Sequence, residues 1–115
     1  MISKSYRFHG LGSLRYVYRQ GKTVRGSIIS IKYVLDERRK SYRLAVVVSK
    51  KVSKSAVVRN RIRRRIIEVL RLEAENIKGP YDIVITVFDE KAATMPSSDL
   101  ATSIKNLLTG AGVIS

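Results

Sequence analysis

Cysteine and tryptophan are absent from this 115-residue chain, histidine occurs once and proline twice. Acids are scarce: nine Asp and Glu stand against 23 Lys and Arg. Each shortage removes a class of chemistry. Without cysteine there is no disulfide framework and no Cys/His zinc cluster, and the composition fits a reducing cytoplasm. With His9 alone, a histidine pair for acid–base cleavage of a phosphodiester is not available. The carboxylates are scattered over Asp36/Glu37, Glu68/Glu73/Glu75, Asp82, Asp89/Glu90 and Asp99. A two-metal nuclease needs carboxylates that converge on ions about 3.5–4 Å apart. Glu68 and Glu75, a heptad apart on one helix, read instead as a solvated face that balances nearby arginines. No glycine-rich phosphate loop with its lysine is present, and no Ser or Lys stands out as a nucleophile. No apolar run approaches about 18 residues, and MISKSYRFHG lacks the apolar region of a signal peptide. A soluble, cytoplasmic chain that does not use a membrane is expected. On its own residues it reads as a binder, not a catalyst.

What the chain has in excess is positive charge. The net charge is +14, and residues 1–67 hold 19 of the 23 basic residues but only two acids, Asp36 and Glu37. A small domain with one strongly basic part repels itself unless a polyanion neutralises it. The charge peaks in residues 50–65, where eight basic residues occur without an acid: Lys50, Lys51, Lys54, Arg59, Arg61, Arg63, Arg64 and Arg65. Apolar residues run through this stretch at helical spacing: Val58, Ile62, Ile66, Val69 and Leu70. At about 100° per residue, Asn60, Arg64 and Arg71 fall on the opposite face. Such a helix buries one side and presents a comb of guanidinium groups on the other. Guanidinium meets phosphate bidentately and stacks on bases, so RNA or DNA is the favoured partner over a merely solvated face.

The rest of the chain supplies a small core. The length and a 44% hydrophobic fraction predict a single globular domain over residues 1–115. Leu11, Leu14, Val17 and Tyr18 predict a short amphipathic helix that Gly21 terminates. Residues 27–35 alternate as a strand, open to a split in two at its bulky, polar interruptions, and residues 42–49 form another. The charged loop 36–41 between them suggests an antiparallel hairpin. Ser55 is a candidate cap for the arginine helix, which runs to about Asn76 and stops at Lys78-Gly79-Pro80. YDIVITVF at 81–88 is a further strand, and strand–helix–strand predicts a parallel crossover. Leu100, Ile104, Leu107 and Leu108 mark a last helix with Gly110 as its stop. The order is α-β-β-α-β-α, an α+β two-layer sandwich with a small mixed sheet.

Aromatics are few, but Tyr6, Phe8, Tyr16, Tyr18, Tyr33 and Tyr42 fall in the basic half, with Tyr81 and Phe88 beyond it. Base stacking beside a basic groove is how single-stranded nucleic acid is held. Tyr18 and Tyr33 suit that role or half-buried packing equally well.

Val48-Ser49-Lys50-Lys51-Val52 followed by Ala56-Val57-Val58-Arg59-Asn60-Arg61-Ile62-Arg63-Arg64 resembles the signature of the bacterial ribonuclease P protein subunit. Arg7-Phe8, Leu14, Val17-Tyr18 and Gly21 match the family's N-terminal pattern, so the resemblance spans nearly the whole chain. It implies a ribonucleoprotein that removes the 5′ leader from precursor tRNA, with the active site and its Mg²⁺ held mainly by a catalytic RNA. The protein alone would be inactive. One monomeric protein per RNA is implied, and so is a fold like the second domain of ribosomal protein S5, with a left-handed β-α-β crossover. By position, Lys50, Lys51, Lys54, Arg59, Asn60, Arg61, Arg63, Arg64 and Arg65 would dock on the catalytic RNA. Arg7, Phe8, Leu14, Arg15, Tyr18, Lys32 and Tyr33 would line a cleft for the leader.

Three positions depart from the family pattern. Val52-Ser53-Lys54-Ser55-Ala56 lacks the usual glycine and is one residue longer. Ile67 stands where an arginine is frequent, which leaves an apolar residue amid the basic face, and Leu14 stands where a phenylalanine is common. The alternative reading is another basic RNA-binding protein, ribosomal or an RNA chaperone. A helix-turn-helix DNA module and a membrane-active helix fit the element order less well.

Overall fold

Ile83, Val84 and Ile85 are consecutive and all completely buried. A strand turns successive side chains to opposite faces, so three buried neighbours require cover on both sides. The computed structural model describes residues 11–37 and 41–114. Its elements are α1 (Leu11–Gln20), β1 (Lys22–Arg25), β2 (Ile29–Leu35), β3 (Arg43–Val47), α2 (Ala56–Glu73), β4 (Tyr81–Val87) and α3 (Ser97–Ala111). Short 3-10 turns follow α2 at Ala74–Asn76 and β4 at Glu90–Ala93. The sheet order is β1-β2-β4-β3, which places the buried run inside the sheet.

The α+β class and the mixed sheet agree with the sequence, and two details differ. A fourth strand, β1, pairs antiparallel with β2 through Lys22↔Tyr33 to Arg25↔Ser30. The expected hairpin between β2 and β3 does not form, because β4 lies between them. It is antiparallel to β2 (Ile31↔Ile85) and parallel to β3 (Leu44↔Ile83). The crossover through α2 therefore joins parallel neighbours, as strand–helix–strand predicted.

One face of the sheet carries the main core. Ile29, Ile31, Leu44, Ile83 and Ile85 pack there with Ile62, Ile66 and Leu70 of α2 and Leu100, Ile104 and Leu108 of α3. Ile67 also leans on this core, so it does not interrupt the basic face as expected; it packs beside it. The other face has lighter cover. Val17 and Val84 are buried outside the main core, and α1 rests on β2 and β4. Gly21 closes α1, its N–H donating to the Val17 carbonyl at 2.7 Å. A Cβ there would sit 2.5 Å from that same oxygen, so only glycine fits. Helix α3 runs past Gly110 and stops at Gly112, whose φ of 78° is left-handed. Val113 N–H then returns to the Leu108 carbonyl, which closes the helix end.

Candidate nucleic-acid interface

Helix α2 is fixed before it meets any partner. Ser55 caps it, its hydroxyl accepting from Val58 N–H at 3.3 Å. Ile62, Ile66 and Leu70 are completely buried beneath it. In the segment that lacks the family glycine, Val52 N–H donates to the Ser49 carbonyl and Ser55 N–H to Ser53 Oγ at 3.2 Å. Lys50, Lys51 and Lys54 are exposed on this lead-in and have no partner among the described residues.

The arginines of α2 are not equivalent. Arg64 is exposed and has no partner among the described residues. Arg63 donates to Asn60 Oδ1 at 2.7 Å and to the Val48 carbonyl at 3.3 Å. Arg59 donates through Nη1 to the Ser53 carbonyl at 2.9 Å. Arg61 donates Nε–H to the Ala93 carbonyl at 2.8 Å. Arg65 turns inward, to the carbonyls of Ala92 at 2.6 Å and of Met95. Further along, Glu68 takes both nitrogens of the Arg71 fork, at 3.1 and 2.6 Å. That hydrogen bond from Arg71 holds the Glu68 carboxyl below its ordinary range. Most of the comb is thus oriented by backbone carbonyls or by a neighbouring side chain, while each guanidinium keeps donors in reserve.

The sheet's lighter face gathers part of the proposed cleft. Tyr18 is 45% exposed on α1, and Lys32 Nζ lies 5.7 Å from its ring centroid. Arg15 is exposed and Leu14 half-buried on the same helix. Tyr33 is not brought to Tyr18. Strand alternation turns it to the core face, where its ring meets Tyr81 edge-on with centroids 6.3 Å apart. Arg7 and Phe8 lie outside the described residues. A second cation–aromatic pair was not anticipated from the sequence. Arg25 of β1 places its guanidinium carbon 4.4 Å from the Phe88 ring centroid, and Phe88 is 39% exposed. Val84, Thr86 and Phe88 share a face by alternation, and Val84 pairs with Lys32, so both pairs border one surface. That alternation was the signal available in the sequence.

Among the described residues no group of three or more His, Cys, Asp or Glu could hold a metal ion. No helix among them is long and apolar enough to cross a membrane. The arrangement offers phosphate-binding donors on a rigid helix and exposed rings beside cations.

Known proteins resemble this chain in sequence and in fold. The chain is 37% identical to the ribonuclease P protein component of Pseudanabaena sp., over 99% of this chain and 97% of that one. It is 40% identical to the component from Clostridium kluyveri, over 94% and 96%. The RNase P protein of Staphylococcus aureus superimposes with a TM-score of 0.86 at 26% identity, covering 97% of this chain and 100% of that one. The Thermotoga maritima protein, at 20% identity and TM-score 0.76, shares the fold over 84% and 89%. The family model described as Ribonuclease P matches residues 2–112. The chain belongs to the ribonuclease P protein family, the protein component of a ribonucleoprotein endoribonuclease.

Proposed function

We propose that α2 docks this chain on the catalytic RNA of ribonuclease P, while the lighter sheet face holds the 5′ leader of precursor tRNA. The reaction is endonucleolytic removal of that leader, which leaves the mature tRNA 5′ end. The RNA supplies the active site and holds Mg²⁺; the scattered acids of this chain form no metal site of their own among the described residues. One monomeric protein binds one RNA, in the cytoplasm and without a membrane.

The observation that carries the docking reading is Arg64. With no partner among the described residues, it projects from a helix whose other side is locked in the core by Ile62 and Ile66. Lys50, Lys51, Lys54, Arg59, Asn60, Arg61 and Arg63 continue the same surface. On the second surface, Tyr18 with Lys32 and Phe88 with Arg25 offer ring faces to unstacked bases and charge to their phosphates. Leu14 and Arg15 border Tyr18, and Arg7 and Phe8 complete the set by sequence position. Tyr33 supports the sheet from its core side.

The test is binding to the RNA subunit transcribed from the same genome, across a range of KCl concentrations. Affinity should fall steeply with salt, because each neutralised phosphate releases a counterion. Arg64→Ala should weaken binding and reduce the slope by about one unit. A flat salt dependence would remove α2 as the docking surface.

A further inference from the structure

The 3-10 turn Glu90–Ala93 is fastened to α2 at two points. Arg65 straddles it, donating to the Ala92 carbonyl at 2.6 Å and to the Met95 carbonyl. Arg61, one helical turn earlier, donates Nε–H to the Ala93 carbonyl at 2.8 Å. The turn has its own cap, Asp89 Oδ1 accepting from Lys91 N–H at 2.9 Å. Arg61 borders a shallow depression that Asp89 and Glu90 also line. Even so, it pairs with neither acid, and its Nη1 and Nη2 have no partner among the described residues.

The consequence follows from guanidinium geometry. A planar group held through Nε has its remaining fork aimed in one direction, and that fork matches a phosphate. Released from the Ala93 carbonyl, the same side chain could turn to Asp89 or Glu90, which line the same depression, and be neutralised. The carbonyl that holds it is only as fixed as the turn, which buries Ala92 and Ala93 and takes two further bonds from Arg65.

We infer that Arg65 is a positioning residue: by clamping the Glu90–Ala93 turn it holds the Ala93 carbonyl where Arg61 is aimed at RNA phosphate. Arg65 does not itself bind RNA. The inference rests on the docking reading for α2 and refines it, dividing one arginine run into groups that touch RNA and a group that aims them.

Lysine at position 65 separates charge from clamp. Arg65→Lys keeps the positive charge and the aliphatic stem, but an ammonium cannot span the two carbonyls as the fork does. Affinity for the RNA subunit from the same genome is measured against KCl for the parent chain, Arg65→Lys, Arg61→Ala and the double variant. Folding of each is checked by circular dichroism at the assay temperature. Arg61→Ala should weaken binding and lower the salt slope by about one unit. Arg65→Lys should weaken binding about threefold to tenfold and lower the slope toward that of Arg61→Ala, although position 65 keeps its charge. In the Arg61→Ala background, Arg65→Lys should have no further effect. Should Arg65→Lys melt below the assay temperature, Arg65→Met keeps the stem packing and replaces it in the same cycle. Parent-like binding by Arg65→Lys would overturn the inference, and so would an equal loss in both backgrounds. If Arg61→Ala changes neither affinity nor slope, the docking role of Arg61 fails first and the positioning role fails with it.

Discussion

Arg43 and Asp82 face each other across the parallel strands β3 and β4 and bond at two points, Nε to Oδ1 at 2.9 Å and Nη2 to Oδ2 at 2.8 Å. The Asp82 side chain is 1% exposed and that of Arg43 13%, so the pair sits almost out of water. Removing the Asp82 carboxylate takes both of these charge-assisted bonds from the Arg43 guanidinium in a nearly dry setting. Asp82→Ala should destabilise the fold by about 3–5 kcal/mol, read from urea unfolding. A loss near that of an exposed ion pair, below about 1 kcal/mol, would mean the bridge does not tie the central strand to its edge.

This pair also shows what the sequence held and what it concealed. The buried face of α2 was legible because Ile62, Ile66 and Leu70 repeat at helical spacing, and Ser55 was legible as its cap. The place of β4 was legible in principle, since Ile83-Val84-Ile85 is apolar without alternation and so belongs inside a sheet. A short loop suggests that β2 and β3 are neighbours, whereas β4 lies between them and bonds to both. Strand β1 was missed because it is four residues long, mostly exposed and flanked by Gly21 and Gly26. In the site, the basic run was plain. The commitments of Arg61, Arg63 and Arg65 were not, because their acceptors are carbonyls of Val48, Ala92, Ala93 and Met95, which only the fold brings near.

Ser55 starts α2 with a single side-chain hydrogen bond to Val58 N–H. Ser55→Ala should cost about 1 kcal/mol of stability, and Ser55→Asp should retain most of it. Thermal melts of the two variants check this. Equal losses from both would show that the hydroxyl is not acting as a cap.

Glu68 lowers the effective charge of α2 by occupying the Arg71 fork. Glu68→Gln should strengthen RNA binding about twofold at low salt, with the gain vanishing at high salt. The Glu68 carboxyl has its folded-state value lowered by Arg71. Its contribution is therefore present above the ordinary carboxylate range and lost as pH falls through the folded value. Both groups are solvent-exposed, so the melting temperature at pH 7 should barely move. A large drop there would make this bridge structural.

Tyr18→Ala should act on substrate and leave docking intact. The ring is exposed beside Lys32, and a base stacked on it is worth about 1–3 kcal/mol. Holoenzyme affinity should fall for precursor tRNA carrying a leader of several nucleotides and stay unchanged for leaderless tRNA. Equal weakening of both substrates, or loss of the folded circular dichroism spectrum, would assign Tyr18 to packing.

Reconstitution measures the division of labour directly. Precursor tRNA and Mg²⁺ are incubated with the purified protein, with the RNA subunit of the same genome, and with both. The protein freed of RNA should cleave nothing, and adding it to the RNA subunit should accelerate cleavage at the mature 5′ end under near-physiological salt. Site-specific cleavage by RNA-free protein, or no change when protein joins the RNA subunit, would contradict the assignment.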